Sequence, residues 1–306
     1  MNGIIVINKQ RDFTSFDVVA VARGILREKK IGHSGTLDPM ATGVLPVLVG
    51  KAAKAQSLLP DTDKRYEADF RLGITTDTLD IWGTVQSTQE CHFTEADIEA
   101  VLPRFRGEIM QVPPMYSAIQ KDGVRLYDLA RQGIEVERQA RPVCVSTLEL
   151  LGFDEKTQSG RLRICCSKGT YIRVICDDIG KALGCGCIMT ALCRTRACGF
   201  TLADALTLKE LEAIKNDGRI DEVLRPADSI FGCFEAAYVS EKQAVRFSNG
   251  GSLSLDRVKS IKNPENSTLY RIYGGNVFLG LGQADTEKNE LAVKKLFIDS
   301  PVRPES

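Results

Sequence analysis

The chain has 306 residues, about two domains' worth and long enough to bury a core without a disulfide or metal staple. Hydrophobic residues at 43% and charged residues at 26% exclude a wholly disordered or fibrous chain, and no apolar run nears the roughly 20 residues of a membrane-spanning helix. Forty basic and forty acidic side chains cancel, so the total charge argues neither for nor against a nucleic-acid partner. The opening MNGIIVINKQRDF has a short apolar run without a small-residue cleavage site, and a cytoplasmic location is expected.

In chain order, Ile4–Ile7 predicts a first strand. Ser15 is placed as an N-cap, followed by Phe16, Val19, Ala22, Ile25 and Leu26 near helical spacing. Residues 32–43, GHSGTLDPMATG, gather Gly, Ser, Thr, Asp and Pro into a shaped loop. Val44–Val49 predicts a buried strand. Tyr66, Ala68, Phe70 and Leu72 alternate with Glu67, Asp69 and Arg71, the period of a half-buried strand. Thr94 starts a helix that runs to about Leu102. From Val112-Pro113-Pro114 a polar stretch continues to about Pro142, long enough for a connection to be functional or mobile. Leu162, Ile164 and Cys166 mark another strand, and a helix pattern spans Ile172 to Leu183. Strands with interspersed helices indicate a mixed α+β domain up to about residue 230. Beyond it, Leu269–Tyr273, Val277–Leu281 and Val293–Phe297, separated by Gly and Asn, predict a small β-barrel or sandwich docked against the first domain.

Charge is uneven along the chain. Residues 65–103 carry two basic and eight acidic groups, a balance of −6, whereas residues 161–200 carry seven basic and two acidic, a balance of +5. The basic stretch can hold phosphates, or it can be a chance fluctuation. The ten cysteines are irregularly spaced, and reduced thiols are expected. Cys185, Cys187, Cys193 and Cys198 lack paired C-x-x-C spacing, and His33 and His92 are the two histidines, so no metal site is expected.

Asp38 is followed by Pro39, which restricts the aspartate's backbone and so directs its side chain. It reads as either a reactive carboxylate or the cap of a turn. His33 likewise reads as a structural histidine or a functional one. The loop lacks the G-x-x-x-x-G-K-[ST] order of a nucleotide-triphosphate cradle, and no G-x-S-x-G supports a hydrolase triad. In Ser167-Lys168-Gly169-Thr170-Tyr171-Ile172-Arg173, the arginine falls in the first turn of a helix, where the dipole favours anions. It either serves an anionic partner or is a surface arginine.

Taken together, these segments resemble the TruB family of tRNA pseudouridine synthases over nearly the whole chain. The resemblance is carried by Gly32-His33-Ser34-Gly35-Thr36-Leu37-Asp38-Pro39 and by Lys64-Arg65-Tyr66. Thr76-Asp77-Thr78-Leu79-Asp80, PPMYSAIQKDGVRLYDLAR at 113–131 and the arginine motif ending at Arg173 complete it. It implies a mixed, mainly antiparallel-sheet catalytic domain over residues 1–230 with an RNA-gripping insertion at 113–142. A small β-barrel of the PUA type would follow at 236–300.

The implied activity is isomerisation of uridine 55 in the T arm of tRNA, with base flipping, no cofactor and no metal. Asp38 would be the nucleophile, Arg173 and Asp80 its charged neighbours, and Tyr66 the residue stacked on the base and a candidate for taking the carbon-5 proton. His33 would fill the space left by flipped bases, Lys9 would support the site, Leu192 would wall the pocket, and the basic 161–200 segment would line the cleft. The tRNA elbow would be the partner of a monomer needing no other protein. Two segments depart from the family pattern: Lys9-Gln10-Arg11-Asp12-Phe13-Thr14-Ser15 lacks its Pro and Gly, and Leu192-Cys193-Arg194-Thr195 has lost one arginine.

Overall fold

The computed structural model describes residues 1–60, 63–298 and 300–302. Strand β1 (Gly3–Lys9) pairs antiparallel along its length with β3 (Thr42–Val49). Between them lie helix α1 (Ser15–Leu26) and the short β2 (Ile31–His33). Thr14, not Ser15, caps α1. Its hydroxyl accepts from Asp17 N at 3.0 Å, and Asp17 returns a carboxylate to Thr14 N at 2.8 Å, a reciprocal box that satisfies two backbone donors at the helix start. This shift by one residue frees the Ser15 hydroxyl for the loop that carries Asp38. It also turns Phe16 to solvent and buries Val18 beside Val19, Ala22 and Leu26. The expected loop at 32–43 is correspondingly shorter, because β2 and β3 take its two ends.

The chain continues through β4 (Lys64–Leu72), a ribbon of β5 (Ile74–Thr76) and β6 (Val85–Thr88), helix α2 (Glu95–Val101) capped by Thr94, and β7 (Gly107–Gln111). The long polar stretch is built rather than irregular. It holds a hairpin of β8 (Gln120–Lys121) and β9 (Val124–Arg125), then α3 (Leu126–Arg131). The hairpin turns at Asp122-Gly123, both at positive φ, the pairing that matches strand twist. Next come β10 (Arg141–Asp154), β11 (Ser159–Cys166), α4 (Ile172–Leu183), β12 (Cys187–Ala197), β13 (Phe200–Thr201) and α5 (Leu208–Asn216).

Among the described residues, nine of these strands form one sheet in the order β1-β3-β12-β4-β11-β10-β7, with β2 beside β3 and β13 beside β12. All pairings are antiparallel except β12 with β3. The interior strand β12, between β3 and β4, has buried residues on both faces. It therefore shows no clean alternation in CIMTALCRTRA and was not readable as a strand from periodicity.

A second sheet orders as β14 (Glu235–Val239), β16 (Leu269–Gly274), β17 (Val277–Asp285), β18 (Glu290–Leu296) and β15 (Leu253–Ser254), with helix α6 (Glu241–Ser248) packed on it. Strand β18 begins three residues before the expected Val293. The two parts share one apolar seam. Phe231 is fully buried among Ile4 and Leu48 of the first sheet and Leu281 and Phe297 of the second, its ring centroid 5.6 Å from that of Phe297. The architecture is α+β throughout, as expected.

Candidate active site

The loop after β2 holds Asp38 between two pinned peptides. The Ser15 hydroxyl accepts from Leu37 N at 2.8 Å, and the Pro39 carbonyl accepts from Asp12 N at 2.9 Å and from the Lys9 ammonium at 3.2 Å. Asp38 itself is half-exposed and opens into a cavity of about 250 Å³ lined also by Tyr66, Tyr116, Ser117, Tyr171, Arg173 and Leu192. A carboxylate held by its neighbours on both sides, with one face open, is pre-positioned to meet a substrate.

Arg173 organises the cavity. Only 5% of its side chain is exposed, and its Nε lies 3.0 Å from Asp38 Oδ2. Nη1 donates to the Thr78 carbonyl at 2.8 Å and lies 3.6 Å from Asp80 Oδ2, while Nη2 donates to the Tyr116 carbonyl at 2.9 Å. One guanidinium thus ties together the Asp38 loop, the Thr76–Asp80 turn and the root of the insertion. Its fork of fixed donors suits that task as a lysine would not. The helix bearing it is anchored by Gln111, whose side chain accepts from Tyr171 N at 2.7 Å and donates to Tyr171 O at 3.1 Å.

Asp80 is held by Thr78 Oγ1 at 2.7 Å and Trp82 N at 3.0 Å. Burial pushes its carboxyl up from the usual value, outweighing those hydrogen bonds and Arg173, which pull it down. The turn containing it is docked on β12, where Met189 N donates to Leu79 O at 3.1 Å and Ile81 N to Met189 O at 3.0 Å.

Tyr66 sits on β4 beside the cavity and is buried; burial raises its phenol above the ordinary value, with the Arg194 guanidinium pulling the other way. Leu192 of β12 forms a wall of the cavity. His33 and Lys9 do not line the cavity. The His33 Nδ1 accepts from Gly35 N at 3.2 Å, and burial followed by Arg194 holds the imidazole below its usual pKa, hence neutral. Lys9 lies underneath, its Nζ donating to the carbonyls of Phe13, Gln10 and Pro39.

The expected basic lining by residues 161–200 takes another form. Arg161 pairs with Asp69 and Arg163 with Glu149 and Glu67, while Lys181 pairs with Asp177. Arg173 and Arg194 are buried. The acidic 65–103 segment on β4 thus neutralises part of the basic one across the β4–β11 ladder. Lys168 and Arg196 of the stretch remain exposed, and further exposed cations lie on the insertion. There Tyr127 has Arg125 and Arg131 over its ring at 5.7 and 5.4 Å, and the Lys121 side chain is exposed.

A groove of about 760 Å³ runs between this insertion and α4, and Tyr116 lines both it and the Asp38 cavity. Sequence reasoning missed Gln111 and Arg194. Gln111 could have been sought as a buried polar group ending a strand, but Arg194 gave no signal beyond its place in a recurring motif. Among the described residues, no three His, Cys, Asp or Glu side chains converge as metal ligands, and no helix is long and apolar enough to cross a membrane.

Residues 23–172 match the TruB family pseudouridylate synthase (N terminal domain), and residues 173–232 match the tRNA pseudouridylate synthase B C-terminal domain. The tRNA pseudouridine synthase B of Aromatoleum aromaticum is 45% identical over 285 residues, covering 93% of this chain and 89% of its own. That of Clostridium perfringens (strain ATCC 13124) is 42% identical over 301 residues, covering 98% and 100%. In the crystal structure of a Cbf5-Nop10-Gar1 complex, one chain superposes with a TM-score of 0.76 at 26% identity, covering 97% of this chain and 85% of that one.

Proposed function

Because the chain belongs to the TruB family of pseudouridylate synthases, we propose that it isomerises uridine 55 in the T arm of tRNA to pseudouridine, with Asp38 as the nucleophile and no cofactor. The observation that carries this reading is the Asp38–Arg173 pair, 3.0 Å apart at the mouth of a cavity floored by Tyr66. Uridine and pseudouridine are isomers, so the reaction needs only that the N1–C1′ bond break, the uracil turn, and a C5–C1′ bond form. Asp38 attacks the nucleotide and carries it while the base turns. Arg173 holds the carboxylate in line, and Tyr66 stacks on the base and accepts the C5 proton.

The cavity takes one nucleotide, not a base-paired stem, so the uridine enters flipped out of its loop, at a cost of a few kcal/mol. In this reading the exposed cations and Tyr127 of residues 113–142 hold the surrounding RNA backbone and bases. Residues 1–230 form the catalytic domain in this reading, and residues 236–300 a PUA-like RNA-binding domain. The protein acts as a cytoplasmic monomer without a partner.

The test is to incubate the purified chain with an unmodified tRNA transcript, no other protein or RNA added, and to map pseudouridine chemically. The expected result is modification of the T-arm uridine that disappears in Asp38→Asn while tRNA binding persists. Binding without modification by the unaltered chain would point instead to an RNA-folding role, or to a required partner.

A further inference from the structure

Arg194 has no exposed surface. Its Nε donates to Val44 O at 2.8 Å and its Nη2 to Gly35 O at 3.2 Å, but Nη1 is buried without a hydrogen-bond partner. No carboxylate forms an ion pair with it among the described residues. A guanidinium stays charged at any ordinary pH, and a buried charge without a counter-charge is among the costliest features a fold can carry. It is therefore a candidate for compensation by something that becomes negative during turnover.

The register shows which group that is. Arg194 stands directly opposite Tyr66 in the β12–β4 ladder, so the two side chains leave the sheet on the same face, and the guanidinium reaches the phenol. The other charged or titratable groups around the pair do not offer a better partner. Lys9 from β1 is cationic, His33 from β2 is neutral, and the Lys64 ammonium on β4 is another cation beside Gly35. Cys166 on β11 is a thiol that burial pushes up to about 12. Asp38 is engaged by Arg173.

We propose that Arg194 is a positioning residue for Tyr66: its buried guanidinium fixes the phenol beside the cavity and stabilises the phenolate that removes the C5 proton. This rests on the reading of Tyr66 as proton acceptor given above. After the C5–C1′ bond forms, C5 carries both the ribose and a hydrogen. The C5–H electron pair returns to the uracil ring, the proton passes to the Tyr66 oxygen, and the phenol's own proton reaches N1 by way of solvent. The net change is one hydrogen moved from C5 to N1, with no oxidant or reductant. The guanidinium acts where negative charge develops, and it is itself shielded from water, so a fixed donor there has most effect.

Two RNA substrates separate this role from a merely structural one: a tRNA transcript with uridine and one with 5-fluorouridine at the target position. Fluorine at C5 leaves no proton to remove, so only the earlier bond exchanges are read. For Arg194→Gln the expected result is roughly a hundredfold slower pseudouridine formation, unchanged tRNA binding and undiminished processing of the fluorinated RNA. A transcript with 5-deuterouridine should also show a larger isotope effect than with the unaltered protein. Equal losses on both substrates, or an unchanged isotope effect, would overturn the proposal. Because Gln forfeits bonds to two carbonyls, Arg194→Lys provides a second arm. It keeps the charge and is expected to restore pseudouridine formation to within about tenfold. A folded, tRNA-binding Lys variant that loses both substrates alike would sink the idea. Asp38→Asn, inactive on both, shows separately whether the underlying assignment of the site fails.

Discussion

Lys9 shows how a single buried charge can report on the site. It has no exposed surface, and its three ammonium hydrogens meet three backbone carbonyls, of Gln10, Phe13 and Pro39. The last of these belongs to the residue after Asp38, so Lys9 fixes the backbone of the loop. Burial lowers its pKa from the ordinary 10.5 to about 8, with Asp38 opposing the shift. A base whose pKa falls on folding binds fewer protons folded than unfolded between those two values, so stability rises with pH there. The gain is fully present above about 10.5 and lost as pH falls through about 8, on the order of 3 kcal/mol at roughly 1.4 kcal/mol per pKa unit. Urea unfolding across this range should show that slope in the unaltered protein and a flatter one in Lys9→Met. Parallel curves would mean that Lys9 is not the group responsible. The missing Pro and Gly of the family opening do not displace Lys9, because three carbonyls define its place.

Among the elements, the β3–β12 contact is the narrow link. It consists of Thr42 opposite Cys193 and Gly43 opposite Arg194, the parallel pairing of the sheet. Gly43 has φ +102°, and a Cβ there would stand 2.3 Å from the Arg194 carbonyl oxygen. Backbone conformation and space both demand glycine. Gly43→Ala should cost on the order of 3 kcal/mol, as backbone strain and overpacking add, read as a lowered midpoint in thermal unfolding. It should also slow pseudouridine formation, because the same residue, Arg194, stands opposite Tyr66 in the neighbouring β12–β4 pairing. A stable variant with normal turnover would show that the link is dispensable. Helix α4 depends on a different device, since Gln111 rather than a cap from its own sequence satisfies Tyr171 at its start.

At the scale of the molecule, Phe231 joins the two sheets. Its ring lies against Phe234, Phe278 and Phe297 with centroids 6.0, 6.4 and 5.6 Å away, and against Ile4 and Leu48 of the first sheet. Phe231→Ala removes that shared ring and should destabilise by about 3–5 kcal/mol. Limited proteolysis should then cut faster near residues 226–236, between the domains. An unchanged digestion pattern would mean that the seam is held elsewhere. Charge also acts at this scale. The acidic β4 region and the basic β11 region, each conspicuous in the sequence, pair with one another across the ladder.

What the sequence determined on its own is what local chemistry encodes. Strand β1 is an apolar run, β4 and β11 alternate, α4 shows a helical stripe, and the Asp38 loop carries its Gly and Pro signals, so these were legible as segments. Motif order gave the family, and with it Asp38, Tyr66, Asp80 and Arg173 as a set. Only the tertiary structure decided that β12 is an interior strand between β3 and β4, because burial on both faces erases alternation. It alone put Thr14 in place of Ser15 at the helix cap and paired part of the basic stretch with part of the acidic one. It also placed Arg194 opposite Tyr66 across strands more than a hundred residues apart in sequence. Registers, ion pairs and burial arise from segments distant in the chain, and no local pattern of residues records which partner each will meet.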